Sequence, residues 1–151
     1  MTNEARYENG RLTITRTFDA PRTAVFDAWI KTSKVQLWWG CHVATDVQST
    51  IEPCVGGQYS HQMTLTQGGI YQNQGRITAY DPPKLLAYEM VDPFHNDPMQ
   101  VRIEFSEQGG QTLVRLTQDN LPGTYTQVIM AGWSAGLTKL AQLLQEETID
   151  S

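Results

Sequence analysis

Cysteine is scarce in this chain of 151 residues: Cys41 and Cys54 are the only two, which is too few for a disulfide framework. The simplest setting for them is a reducing one, so a cytoplasmic protein with free thiols is expected. Positive charge is also short. Eleven Lys and Arg face sixteen Asp and Glu, the net charge is −5, and no basic run occurs. That speaks against a nucleic-acid groove or an anionic-membrane patch, both of which need clustered cations. No stretch reaches the roughly 20 apolar residues of a membrane span, so no membrane insertion is expected. Residues 1–10 are polar and lack the apolar core of a signal peptide. The glycine pairs Gly56-Gly57, Gly68-Gly69 and Gly109-Gly110 all fall between strand-like stretches and none opens a helix. A phosphate-binding loop is therefore missing, and no cofactor is expected.

What the chain does have is a long amphipathic C-terminal stretch, residues 124–146. At helical spacing Tyr125, Ile129, Met130, Trp133, Leu137, Leu140, Leu143 and Leu144 share one side, with Gly132 and Gly136 along its edge. Each glycine costs about 1 kcal/mol against alanine in a helix interior. The compensation expected is close approach of another backbone, with the sheet as the expected partner, or space for a ligand. Upstream, residues 1–10 read as a flexible N-terminal arm and residues 11–151 as a single domain. Residues 11–18 alternate as a first strand. Asp19-Ala20-Pro21 then starts a short helix carrying Val25, Phe26 and Trp29, and a second runs through Val35, Leu37 and Trp38. Strand-like stretches follow at 43–52, 58–67, 70–80, 84–91, 100–105 and 111–118, joined by Gly- and Pro-rich turns. Both faces of 84–91 are partly apolar, so its orientation stays open. Successive strands with tight turns imply an antiparallel sheet, and the fold class is α+β. A curved sheet of about six or seven strands should wrap the C-terminal helix.

A series of residues carries a likeness. Arg16-Thr17-Phe18-Asp19-Ala20-Pro21 is followed by Val25-Phe26 and Trp29, then by Leu37-Trp38-Trp39-Gly40 and Gly56-Gly57-Gln58-Tyr59. Gly75-Arg76-Ile77 with Asp81-Pro82-Pro83, and Gly132-Trp133 with Leu137 and Leu140, complete it. The order and spacing resemble the SRPBCC (START-like, birch-pollen-allergen-like) superfamily, and most closely proteins similar to the activator of the heat-shock protein 90 ATPase. The resemblance implies a helix-grip fold: a curved antiparallel sheet around the C-terminal helix, two short helices after the first strand, and a cavity between sheet and helix. Cys41 stands where the family often has proline, and Pro53-Cys54-Val55-Gly56-Gly57 replaces its Pro-Gly-Gly turn. Fold membership does not name a chemistry.

Gly132-Trp133-Ser134-Ala135-Gly136 matches the G-x-S-x-G nucleophile elbow by letter. That elbow needs a strand-to-helix turn with acid and histidine partners downstream, whereas His42, His61 and His95 all precede Ser134 and the helical stripe runs through the motif. Cys41, His42, Cys54 and His61 lack any C-x-x-C pair, so no metal is expected. His61 is the most suggestive ionisable group, on a strand face shared with Tyr59 and Met63. It reads either as a satisfied core histidine or, with Tyr71 or Gln118, as the polar end of a ligand site. Arg102 and Glu104 alternate with Val101, Ile103 and Phe105 and belong to a solvated outer face. The expected function is binding of a small, mostly hydrophobic or aromatic molecule by Trp39, Tyr59, His61, Met63, Tyr71, Tyr88, Met90, Gln118, Met130, Trp133 and Leu137. The alternatives are a cyclase- or hydratase-like enzyme using His61 and a tyrosine, and an interaction module. A homodimer stays open, as does a chaperone partner, for which no residue of the chain speaks.

Overall fold

The computed structural model describes residues 3–40, 44–91, 98–120 and 126–150. Cys41, His42, His95 and Tyr125 lie outside them. Eight strands form one antiparallel curved sheet: β1 (Asn3–Glu8), β2 (Arg11–Phe18), β3 (Ala44–Ile51), β4 (Tyr59–Leu65), β5 (Ile70–Asp81), β6 (Leu85–Val91), β7 (Met99–Gln108) and β8 (Gln111–Asp119). Their order across the sheet is β1-β2-β8-β7-β6-β5-β4-β3. Two short helices, α1 (Arg22–Ile30) and α2 (Thr32–Trp38), follow β2, and the long α3 (Thr126–Asp150) closes the chain. This is the helix-grip architecture.

Residues 3–8 depart from the flexible arm expected for 1–10, because they pair along their length with β2, from Asn3 opposite Arg16 to Glu8 opposite Arg11. The cause is local. Asn9 and Gly10 both adopt positive φ, 52° and 80°, as a two-residue hairpin turn with the right-handed twist of its strands demands.

Period-two alternation sets the faces. Along β7, Met99, Val101, Ile103 and Phe105 are buried while Gln100, Arg102 and Glu104 are exposed. On β6, Leu86, Tyr88 and Met90 share the concave side, and Ala87 lies buried on the other. The convex side carries Arg11 bound to Asp119 at 2.6 Å and Arg102 bound to Glu104 at 3.2 Å, all solvent-facing.

The core is densest where α1 and α2 close one end of the sheet. Phe26 meets Phe105 edge-on at 5.1 Å, and Trp29 meets Trp38 at 4.8 Å and Phe105 at 5.4 Å. Trp38 packs rather than binds, with Nε1 donating to the Ala28 carbonyl at 3.0 Å. From α3, Leu137, Leu140 and Leu144 enter the same cluster. Gly136 is part of this closure: another backbone does come close, but it is that of α2 and not of the sheet. A Cβ on Gly136 would stand 3.2 Å from the Trp38 carbonyl oxygen and 3.3 Å from its ring, so the glycine seats α3 on α2. The helix runs through Trp133 and Ser134 without a break, which leaves no nucleophile elbow.

Candidate functional site

The concave face of β3, β4 and β5 holds a short polar row. Cross-strand pairing sets Ser49 opposite His61, and His61 opposite Asn73, so the three side chains share one face. Ser49 is held from behind by α2, where Gln36 Oε1 accepts its backbone N–H at 2.8 Å. Ser49 Oγ lies 2.7 Å from His61 Nδ1. The backbone N–H of His61 donates to Asn73 Oδ1 at 3.1 Å. Only the amide oxygen can accept that bond, so the orientation of the Asn73 amide is determined by its surroundings. Its Nδ2 then has no protein partner, and neither does His61 Nε2, although both residues are almost wholly buried.

Aromatic rings frame the imidazole. Trp39, just beyond α2, stacks on it at 4.1 Å and 24°, and Tyr59 meets it edge-on at 5.0 Å. Burial pushes the His61 pKa down to about 3, so the ring is neutral near pH 7. Tyr59 stacks on Tyr88 at 4.4 Å and donates its hydroxyl to the Trp29 carbonyl at 2.8 Å. Burial raises both phenols, and for Tyr59 the neighbouring Tyr88 adds to the shift.

Further along the same face the lining is apolar and sulfur-rich. Met63 pairs opposite Tyr71, and Met90 lies between Gly75 and Met99. Gln118 on β8 is fully buried. Its Oε1 accepts from Trp133 Nε1 at 2.8 Å, and its Nε2 donates to Met99 Sδ at 3.2 Å. This ties α3 to the sheet at the level of Met99. Met130, one turn earlier on α3, is half-buried against the core, whereas Leu137 is wholly enclosed.

The expected lining residues thus occupy distinct places. Tyr59, His61, Tyr88 and Trp39 form one aromatic group, and Met63 and Tyr71 flank it. Gln118, Trp133 and Met130 belong to the helix contact. Of the groups expected to share a ligand's polar end with His61, Tyr71 lies on the same face, diagonal to it across the β4–β5 pair, whereas Gln118 stands four strands away, about 19 Å across the sheet at normal strand spacing; His61 itself bonds Ser49 and Asn73. Ser49, Asn73 and Met99 were missed by sequence reasoning. Asn73 shares its strand face with Tyr71, which is the one signal that pointed to it. Among the described residues no group of three His, Cys, Asp or Glu side chains could hold a metal, and Cys54 is exposed. No helix among them is long and apolar enough to cross a membrane.

A curved antiparallel sheet gripping a C-terminal helix, with aromatic, methionine and neutral polar side chains on its inner face, defines a START-like (SRPBCC) protein. Residues 19–145 match the family described as Activator of Hsp90 ATPase homolog 1-like protein, and the chain belongs to that family. Its fold suits ligand binding. Solved structures agree on the fold. A protein from Mycobacterium smegmatis is 20% identical with a TM-score of 0.79, over 93% of this chain and 95% of that one. One from Rhodobacter sphaeroides is 16% identical with a TM-score of 0.83, over 96% and 99%. One from Staphylococcus epidermidis is 23% identical with a TM-score of 0.76, over 97% and 95%. No curated protein matches the chain.

Proposed function

We propose that the chain binds a small, largely apolar molecule between the concave face and the N-terminal half of α3. The observation that carries this is the uneven burial along the helix. Leu137, Leu140 and Leu144 are enclosed by core, whereas Ile129 and Met130 in the first turns are only half-covered, as is Leu143 further on; Trp39, Tyr71 and Met90 are half-covered too. An end lined by half-covered aromatic and thioether groups accommodates varied apolar shapes at small conformational cost. Reading His61 as a hydrogen-bonding wall suits this better than reading it as a base, since a group with a pKa near 3 takes up protons poorly at pH 7. A cytoplasmic setting fits the free thiol and belongs to the same proposal.

Thermal-shift screening of aromatic and lipid-like compounds, with native mass spectrometry of freshly purified protein, tests the reading. A ligand at 100 times its Kd adds about 2.7 kcal/mol, which in a chain of this size raises Tm by roughly 5–10 °C. A crystal structure in which side chains fill the whole space between α3 and the sheet ends it.

A further inference from the structure

We propose that the inner face carries a subsite for an uncharged carbonyl group, formed by the Asn73 side-chain N–H and the adjacent His61 imidazole. The ligand class is then an apolar ketone, ester or amide rather than a hydrocarbon or a fatty acid. This rests on the ligand-binding reading above and narrows it.

Buried polar atoms almost always have partners, and of the four orphaned side-chain atoms among the described residues, which include Arg22 Nε and Trp29 Nε1, only these two sit on directly opposed residues of neighbouring strands, where one occupant could serve both. Asn73 supplies a donor that cannot be exchanged for an acceptor by turning the amide, because the His61 backbone N–H holds Oδ1 in place. His61 is adaptable. With Ser49 donating to Nδ1, Nε2 carries the proton and is a second donor; with Nδ1–H donating to Ser49, Nε2 is an acceptor. A carbonyl oxygen has lone pairs for two donors, and an amide offers both an oxygen for Asn73 and an N–H for His61.

Charge selects against ions. Among the concave-facing positions of β3 to β8 one is charged, Glu107 at the exposed end of β7, and the inward cation Arg16 lies on β2, with Nη1 bound to Thr138 Oγ1 at 3.0 Å. A carboxylate at His61 would lose its hydration with no counter-ion, and an ammonium group would meet the fixed Asn73 donor.

The experiment is an NMR titration of the full chain with three probes of one shape: 2-acetylnaphthalene, 2-ethylnaphthalene and 2-naphthoate. The acetyl compound should bind roughly tenfold tighter than the ethyl compound, as one well-made neutral hydrogen bond provides. Naphthoate should bind no tighter than the ethyl compound. Asn73→Leu should bring the acetyl and ethyl affinities together. If that variant does not fold, the His61 Nε2 resonance of the unaltered protein decides: it should move with the acetyl probe and stay with the ethyl one. Equal affinities for acetyl and ethyl compounds, or tightest binding of naphthoate, overturn the subsite and leave the apolar site standing. Failure of all three to bind overturns the ligand-binding reading and the subsite with it.

Discussion

The contact between Trp133 and Gln118 sets how α3 sits over the sheet, and its worth can be measured. Trp133→Phe removes the indole N–H that meets Gln118 Oε1 at 2.8 Å, in a place where Gln118 has no solvent exposure. Leaving a buried acceptor without a donor costs about 1–3 kcal/mol. The smaller ring also leaves unfilled volume worth about 1 kcal/mol. The expected loss is therefore about 2–4 kcal/mol, or roughly 4–16 °C in Tm for a chain of this length. Gln118→Leu should also destabilise, since it frees the indole N–H and the Met99 contact. The double variant should be more stable than the sum of the two losses by about 1–3 kcal/mol, because the orphaned pair has then been removed together. Urea unfolding followed by far-ultraviolet circular dichroism is the suitable assay, as the variant loses one of four tryptophans. A cycle additive to within about 0.5 kcal/mol refutes the reasoning. It would mean that water satisfies both groups and that the helix is not anchored there.

Two further outcomes follow from named contacts. The His61 pKa drops from 6.5 in the unfolded chain to about 3 when folded, so within that window the unfolded chain binds more protons. Stability is thus fully present above pH 6.5 and falls as the pH drops toward 3, by an amount on the order of 5 kcal/mol from this residue alone. In His61→Phe the slope of stability against pH should flatten between those limits; an unchanged slope rules out a neutral buried imidazole. At Gly136, alanine should be close to neutral, since a helix-propensity gain of about 1 kcal/mol is offset by crowding against Trp38. Leucine there should cost about 1–3 kcal/mol through overpacking, and chemical denaturation that finds Gly136→Leu as stable as the parent removes the proposed seat of α3 on α2.

The elements legible in the sequence were those set by local patterning. The stripe through Trp133, Leu137, Leu140 and Leu144 specified α3, and alternation along residues 59–65 put Tyr59, His61 and Met63 on one inner face. What was not legible depends on which strand lies beside which. His61 acquires Ser49 and Asn73 through the registers of β3 with β4 and β4 with β5, and no local pattern states a register. Gly136 could be read as demanding a close neighbour, but not whether that neighbour was a sheet or another helix. The first hairpin is different: Asn9-Gly10 is a strong local turn signal, although the polar composition of residues 1–10 reads as an arm.

That hairpin has a consequence for how copies of the chain meet. β1 forms one margin of the sheet, where unsatisfied backbone groups invite a strand from another molecule. Its exposed Glu4, Arg6 and Glu8 line that margin, with Arg6 near Glu4 at 3.7 Å. A second copy arriving in register would set like charges against one another. Without β1 the margin would be β2, where Thr13, Thr15 and Thr17 are neutral and charge is limited to Arg11 and the inward Arg16. The charges on residues 4–8 thus make this margin unfavourable for in-register addition of a second copy.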